Sequence, residues 1–257
     1  MGLSDLYLDE RLSTGSVVAT RPAMPFFHTC DSFYLQKIID AGALIPTPCP
    51  EYGEDLLYLF YGRPAYKKKD VEASRLTFLM PVSFILDYNA VKAIKRIAPF
   101  DTGGFKEYNG FMHPAAKRDE YLLKPDKKSI EKFLGSFYDS NDHYFKGRPK
   151  EMVTYDRAHH QLESVHNIMK DCGKCSGDDR KFTIELQLTD PIPLNTGLLQ
   201  AVILPDLLKD SPTYSALFNS WGVPILDYES HAVASDQNYT HMLSIAKKFM
   251  TSKSMFV

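Results

Sequence analysis

Tyr61-Gly62-Arg63-Pro64-Ala65-Tyr66 sets an arginine between two tyrosines, just after the apolar run Leu56 to Phe60. A guanidinium is a rigid fork of donors that matches phosphate, and a phenol ring is a surface for a flat ligand ring. Together they suit a nucleotide. An arginine that merely pairs with a surface carboxylate at a strand exit would look the same. A second candidate is Glu185 in Phe182-Thr183-Ile184-Glu185-Leu186-Gln187-Leu188. Its strict alternation puts Thr183, Glu185 and Gln187 on one strand face. Beside a cleft, a carboxylate there could offset a developing cation or take a proton; a polar face that meets water is the plainer reading. A third is His28-Thr29, whose imidazole and hydroxyl can hydrogen-bond a ribose or a carbonyl, or merely help to cap a helix. Cys172-Gly173-Lys174-Cys175 has metal-ligand spacing, with His159, His160 and His166 upstream. A structural zinc site needs four ligands, and with no second cysteine pair the thiols read as free, so no metal is expected.

The elements that would carry these residues follow from pattern. Leu56 to Tyr61 is a buried strand ended by Gly62 and Pro64. Phe26 to Thr29 is a short strand. Asp31-Ser32 caps a helix with Phe33, Leu35, Ile38 and Ile39 at helical spacing, closed by Gly42. Leu76 to Leu86 is a strand in which Pro81 implies an edge or a bulge. A short helix is expected over Asn89 to Ile97, and longer ones over Ser129 to Tyr138 and Tyr155 to Lys170. The last has the apolar row Ala158, Leu162, Val165 and Ile168 or Met169. Strands at Gln200 to Pro205 and Gly222 to Tyr228 flank a helix near Ser215 to Asn219, and Asp236 to Met250 is a closing helix. The turn Lys67-Lys68-Lys69-Asp70 reads as a solvated loop or, less simply, a phosphate or RNA site.

The chain has 257 residues, 44% hydrophobic and 24% charged, with net charge -2. It is long enough for a full core. Its charge speaks against a general electrostatic grip on nucleic acid. No run approaches the ~20 apolar residues of a membrane span, and Met1 to Leu6 is no signal peptide. Four cysteines are too few for a disulfide scaffold, so a cytoplasmic setting is expected. No P-loop, GxGxxG or Gly-x-Ser-x-Gly motif is present.

Three pieces together resemble the ADP-ribosyltransferase superfamily, and more loosely its DNA-modifying DarT-like branch. They are Phe27-His28-Thr29 with the helix to Gly42 and Leu44; Tyr61 to Tyr66; and Glu185 with Pro191-Ile192-Pro193-Leu194 and Ala201 to Pro205. Their order, histidine then aromatic-arginine then glutamate, is the superfamily's. The resemblance implies an α+β fold, a split β-sandwich with flanking helices, as a single domain over 1–257 with a helical insertion at about 106–180. It implies NAD as substrate in an NAD-consuming glycosyltransferase or NAD glycohydrolase, in a toxin or antiviral-defence setting. His28 and Thr29 would hold the nicotinamide-side ribose, Tyr61 or Tyr66 would stack on nicotinamide, and Arg63 would hold the diphosphate or orient the acceptor. Glu185 would stabilise the oxocarbenium-like sugar and position or deprotonate the nucleophile. The acceptor stays open: a nucleic-acid base, a protein side chain or water, with no membrane partner. Two alternatives stand beside it, an RNA 2'-phosphotransferase and a catalytically silent nucleotide-binding or protein-interaction module. Because Arg63 is placed at a strand exit, Arg63→Ala is expected to spare stability.

Overall fold

The computed structural model describes residues 7–12, 21–66, 76–171, 179–231 and 235–256. In chain order the strands begin with β1 (Phe26–Asp31), β2 (Ala43–Leu44), β3 (Thr47–Cys49), β4 (Glu54–Tyr61) and β5 (Pro81–Leu86). They continue with β6 (Arg96–Ala98), β7 (Glu185–Leu188), β8 (Ile192–Pro193), β9 (Leu199–Pro205) and β10 (Ile225–Tyr228). The α-helices are α1 (Leu35–Ala41), α2 (Lys127–Phe137), α3 (Asn141–Phe145) and α4 (His160–Lys170). The later three are α5 (Asp206–Lys209), α6 (Pro212–Ser220) and α7 (Ser235–Ser252). The fold is mixed α/β. It divides into two compact units, one of residues 23–93 and 188–254, the other of 1–22, 94–187 and 255–257. The helical insertion expected at about 106–180 falls within the second of these units.

In the first unit the strand order is β10-β9-β5-β1-β4, with β3 added to β4 and a separate β2-β8 pair. Strands β10 and β9 run parallel and are joined through α5 and α6. All six residues of β5 are buried, as expected of an interior strand covered on both faces. Tyr239, Met242, Ala246 and Met250 are the buried stripe of α7, which packs on β5, β9 and β10. Helix α1 ends where the sequence says it should: Gly42 takes φ 62° and donates its N–H to the Ile39 carbonyl, a left-handed stop that glycine adopts freely.

The second unit is built on α2, α4 and the antiparallel pair β6-β7. Asp126 caps α2 by accepting from the Ser129 N–H at 3.0 Å. Ile130, Phe133, Leu134 and Phe137 then line its buried face. Leu162, Val165, Ile168 and Met169 do the same for α4. This helix starts only at His160, so Ala158, expected in its apolar row, is exposed.

Several local expectations are overturned. Asn89 to Ile97 is no helix. The Asp87 side chain accepts from the Asn89 N–H and supports one 3-10 turn, Tyr88–Ala90, after which Ile97 pairs with Leu186 across β6 and β7. Strand β5 is interior, between β1 and β9. Pro81 opens it, where a missing N–H is tolerated, and the register irregularity falls at Ile85/Leu86 instead. Residues 222–224 close α6 rather than starting a strand, with the Val223 N–H donating to the Phe218 carbonyl at 2.9 Å.

Candidate functional site

Alternation along β1 turns His28 and Cys30 to one face and Thr29 to the other. His28 and Cys30 border a cavity of about 560 Å3, walled by β4, α1 and the β2–β3 segment. That is within the roughly 300–1,000 Å3 typical of small-ligand sites. The walls are mainly apolar, Leu44 and Leu56 among them, with Tyr34, Lys37 and Tyr58 supplying polar tips.

His28 is half-buried, its Nδ1 3.0 Å from the Tyr58 carbonyl oxygen. A carbonyl can only accept, so in the neutral ring Nδ1 carries the proton and Nε2 remains an acceptor. Burial pulls the imidazole below its ordinary pKa of 6.5, against the opposing bond from the Tyr58 carbonyl. A neutral imidazole suits a ligand hydroxyl. Cys30 is a poor nucleophile: burial, helped by the Asp31 charge, pushes its thiol up to about 12.

The remaining residues singled out in this unit have other work. Thr29 Oγ1 lies 2.9 Å from Ser83 Oγ, its cross-strand partner on β5. It therefore does not assist His28. Tyr61 is buried, its hydroxyl accepting from the Met24 N–H at 3.0 Å and its ring edge-on to Phe26 and Tyr88. Tyr66 is buried too; its hydroxyl donates to Asp31 at 2.5 Å and its ring stacks on Tyr239. Arg63 is only 2% exposed, so the solvent-facing strand mouth expected for it is absent and the guanidinium belongs to the interior. The arginine and its flanking tyrosines are all buried at the end of β4.

Glu185 lies in the other unit, where it is fully buried. The strand begins at Glu185 itself, after a 3-10 turn at Asp179–Phe182, and its expected water-facing side is interior, with Thr183, Glu185 and Gln187 all buried. Glu185 Oε1 accepts from Thr102 Oγ1 at 2.7 Å and from Gln187 Nε2 at 2.8 Å. Its Oε2 accepts from the Thr102 N–H at 3.1 Å. Arg96 Nη1 donates to Gln187 Oε1 across the β6–β7 pair, and Asp101 forms a 2.6 Å ion pair with Arg180. Burial first, then the Asp101 charge, pushes the Glu185 carboxyl well above the usual carboxylate range. The shift favours the protonated form of the carboxyl.

The rings and charge that border the cavity, Tyr34, Tyr58 and Lys37, were not singled out from the sequence. The one available signal was the adjacent pair Phe33-Tyr34 before a helix whose only buried residue is Leu35. Cys172, Cys175 and the Lys67 to Lys69 run lie outside the described residues. Among the described residues no group of three or more His, Cys, Asp or Glu side chains is placed to hold a metal, and no helix is long and apolar enough to cross a membrane. No protein-family model matches the chain, and no curated protein matches its sequence.

Proposed function

We propose that this protein binds NAD in the cavity beside β1 and transfers ADP-ribose from it, on a fold of the ADP-ribosyltransferase split-sandwich kind. The observation that supports this reading is the neutral His28 at the cavity wall, with Nε2 free of the Tyr58 bond and ready to accept from a ribose hydroxyl. The resemblance of the His28, Arg63 and Glu185 segments supplies the reaction class; a nucleic-acid base, a protein side chain or water receives the sugar. Incubation with NAD should release nicotinamide, measured chromatographically, and His28→Ala should cut the rate by at least about tenfold. Equal rates in the two proteins, or no NAD binding by calorimetry at millimolar ligand, would end this reading.

One observation favours a second reading. Glu185 is fully buried and enclosed by Thr102 and Gln187, which suits a nucleotide-binding module without turnover. NAD binding that His28→Ala weakens, with no nicotinamide released by either protein, selects it.

A further inference from the structure

Phe33 and Tyr34 are adjacent aromatic rings, 56% and 47% exposed. Their centroids are 5.2 Å apart at 86°, edge to face. Lys37 follows Phe33 by four residues and Tyr34 by three, on one helical side. Its ammonium sits 5.2 Å from the Phe33 centroid and 6.0 Å from that of Tyr34. The nearest acid on that helix is engaged elsewhere, since Asp40 accepts from Gln36 at 2.7 Å. Among the described residues no carboxylate forms an ion pair with Lys37.

Tyr34 and Lys37 also border the cavity, so aromatic pair and cavity form one continuous surface. The surface thus offers an acceptor at His28, apolar walls, one ammonium at Lys37 and an exposed aromatic pair. A ligand that matches this set has a ring or sugar, an anionic group and a second flat ring. We propose that Phe33, Tyr34 and Lys37 form the outer half of the ligand site and take a nucleoside diphosphate, with the base stacked on the aromatic pair and the phosphates beside Lys37. This rests on the NAD reading for the inner half only.

The test is calorimetric titration of ADP into the full chain and into Phe33→Ala, Phe33→Tyr and Lys37→Ala, with the KM for NAD measured alongside. These side chains are exposed, so folding should survive each change. Phe33→Ala and Lys37→Ala should each weaken ADP by about tenfold, and Phe33→Tyr, which keeps the ring, should restore it. Lys37→Ala should also flatten the dependence of ADP affinity on salt. An ADP affinity unchanged across the variants, or Phe33→Tyr as weak as Phe33→Ala, would overturn the outer site. ADP binding with the expected pattern but no nicotinamide from NAD would support the outer site and remove the transferase reading. Nicotinamide release with an unchanged KM in the variants would do the reverse.

Discussion

The His28 cavity and the Glu185 cluster each hold a titratable group at a strand, yet they are built on opposite principles. His28 keeps one nitrogen engaged by a backbone carbonyl and borders open volume. Glu185 spends both oxygens on its own neighbours and has no exposed surface. A polar group that is fully satisfied and dehydrated stabilises a fold, and losing a partner there is costly. A polar group with a spare acceptor and room beside it is arranged for a ligand. The sequence made both residues candidates; the count of hydrogen bonds and the neighbouring space separate them.

The largest expected effect comes from Glu185→Ala. It leaves the Thr102 N–H, the Thr102 hydroxyl and the Gln187 amide without their acceptor and opens a void. A loss of about 3–5 kcal/mol in denaturant unfolding is expected. A well-folded Glu185→Ala that has lost only nicotinamide release would break the comparison and make the carboxylate a catalytic group. Arg63→Ala comes next. Because the guanidinium is interior, we expect a loss of about 2–3 kcal/mol, not the spared stability that a strand-exit position implied. A thermal midpoint equal to that of the unmodified chain would return Arg63 to the list of ligand residues.

What could be read in advance was what is local. The Gly42 stop is local, and the helix ends there as expected. Its expected Asp31-Ser32 cap is not formed: Asp31 ends β1 and accepts from the Tyr66 hydroxyl, Ser32 donates to the Thr77 carbonyl, and α1 starts at Leu35 with no side-chain cap. Alternation over 182–188 put Glu185 and Gln187 on one side, where they hydrogen-bond each other, but the strand starts only at Glu185, leaving Thr183 in a bend. Nor did alternation show what covers Glu185, because the cover comes from Thr102, 83 positions away. Periodicity assigns faces and is silent about what lies against each face. Arg63 failed for the same reason: Gly62 and Pro64 mark the strand's end, and nothing nearby in sequence shows that the chain beyond it stays interior. Lys37 and Tyr34 were passed over because positions that look merely solvent-facing on a helix become a site only when β1 and β4 set a cavity beside them.

Smaller effects sharpen the contrast. His28→Ala removes one hydrogen bond from a half-buried ring, so its stability cost should be about 1 kcal/mol, well below that of Glu185→Ala, while its effect on ligand should be the greater of the two among folded variants. A His28→Ala as destabilised as Glu185→Ala would mean that the imidazole is a core group and the cavity incidental.

The smallest effect, and the one that separates the regions by sign, is pH dependence. Folding raises the pKa of Glu185 above its ordinary 4.5. The stability linked to this carboxyl is therefore full below about pH 4.5 and is lost as pH rises through the folded pKa, because the unfolded chain releases the proton first. Folding lowers the pKa of His28 below 6.5. Its linked stability is full above about pH 6.5 and is lost as pH falls toward the folded pKa, because the unfolded chain takes up the proton first. Glu185→Gln, measured as a thermal midpoint relative to the unmodified chain, should therefore gain on it as pH is raised from 5 to 8, by on the order of 2–4 °C. His28→Gln should gain on it as pH is lowered from 7.5 to 5.5. A flat Glu185→Gln difference would mean that the carboxyl titrates as an exposed one does, and the sealed character assigned to that strand would be lost.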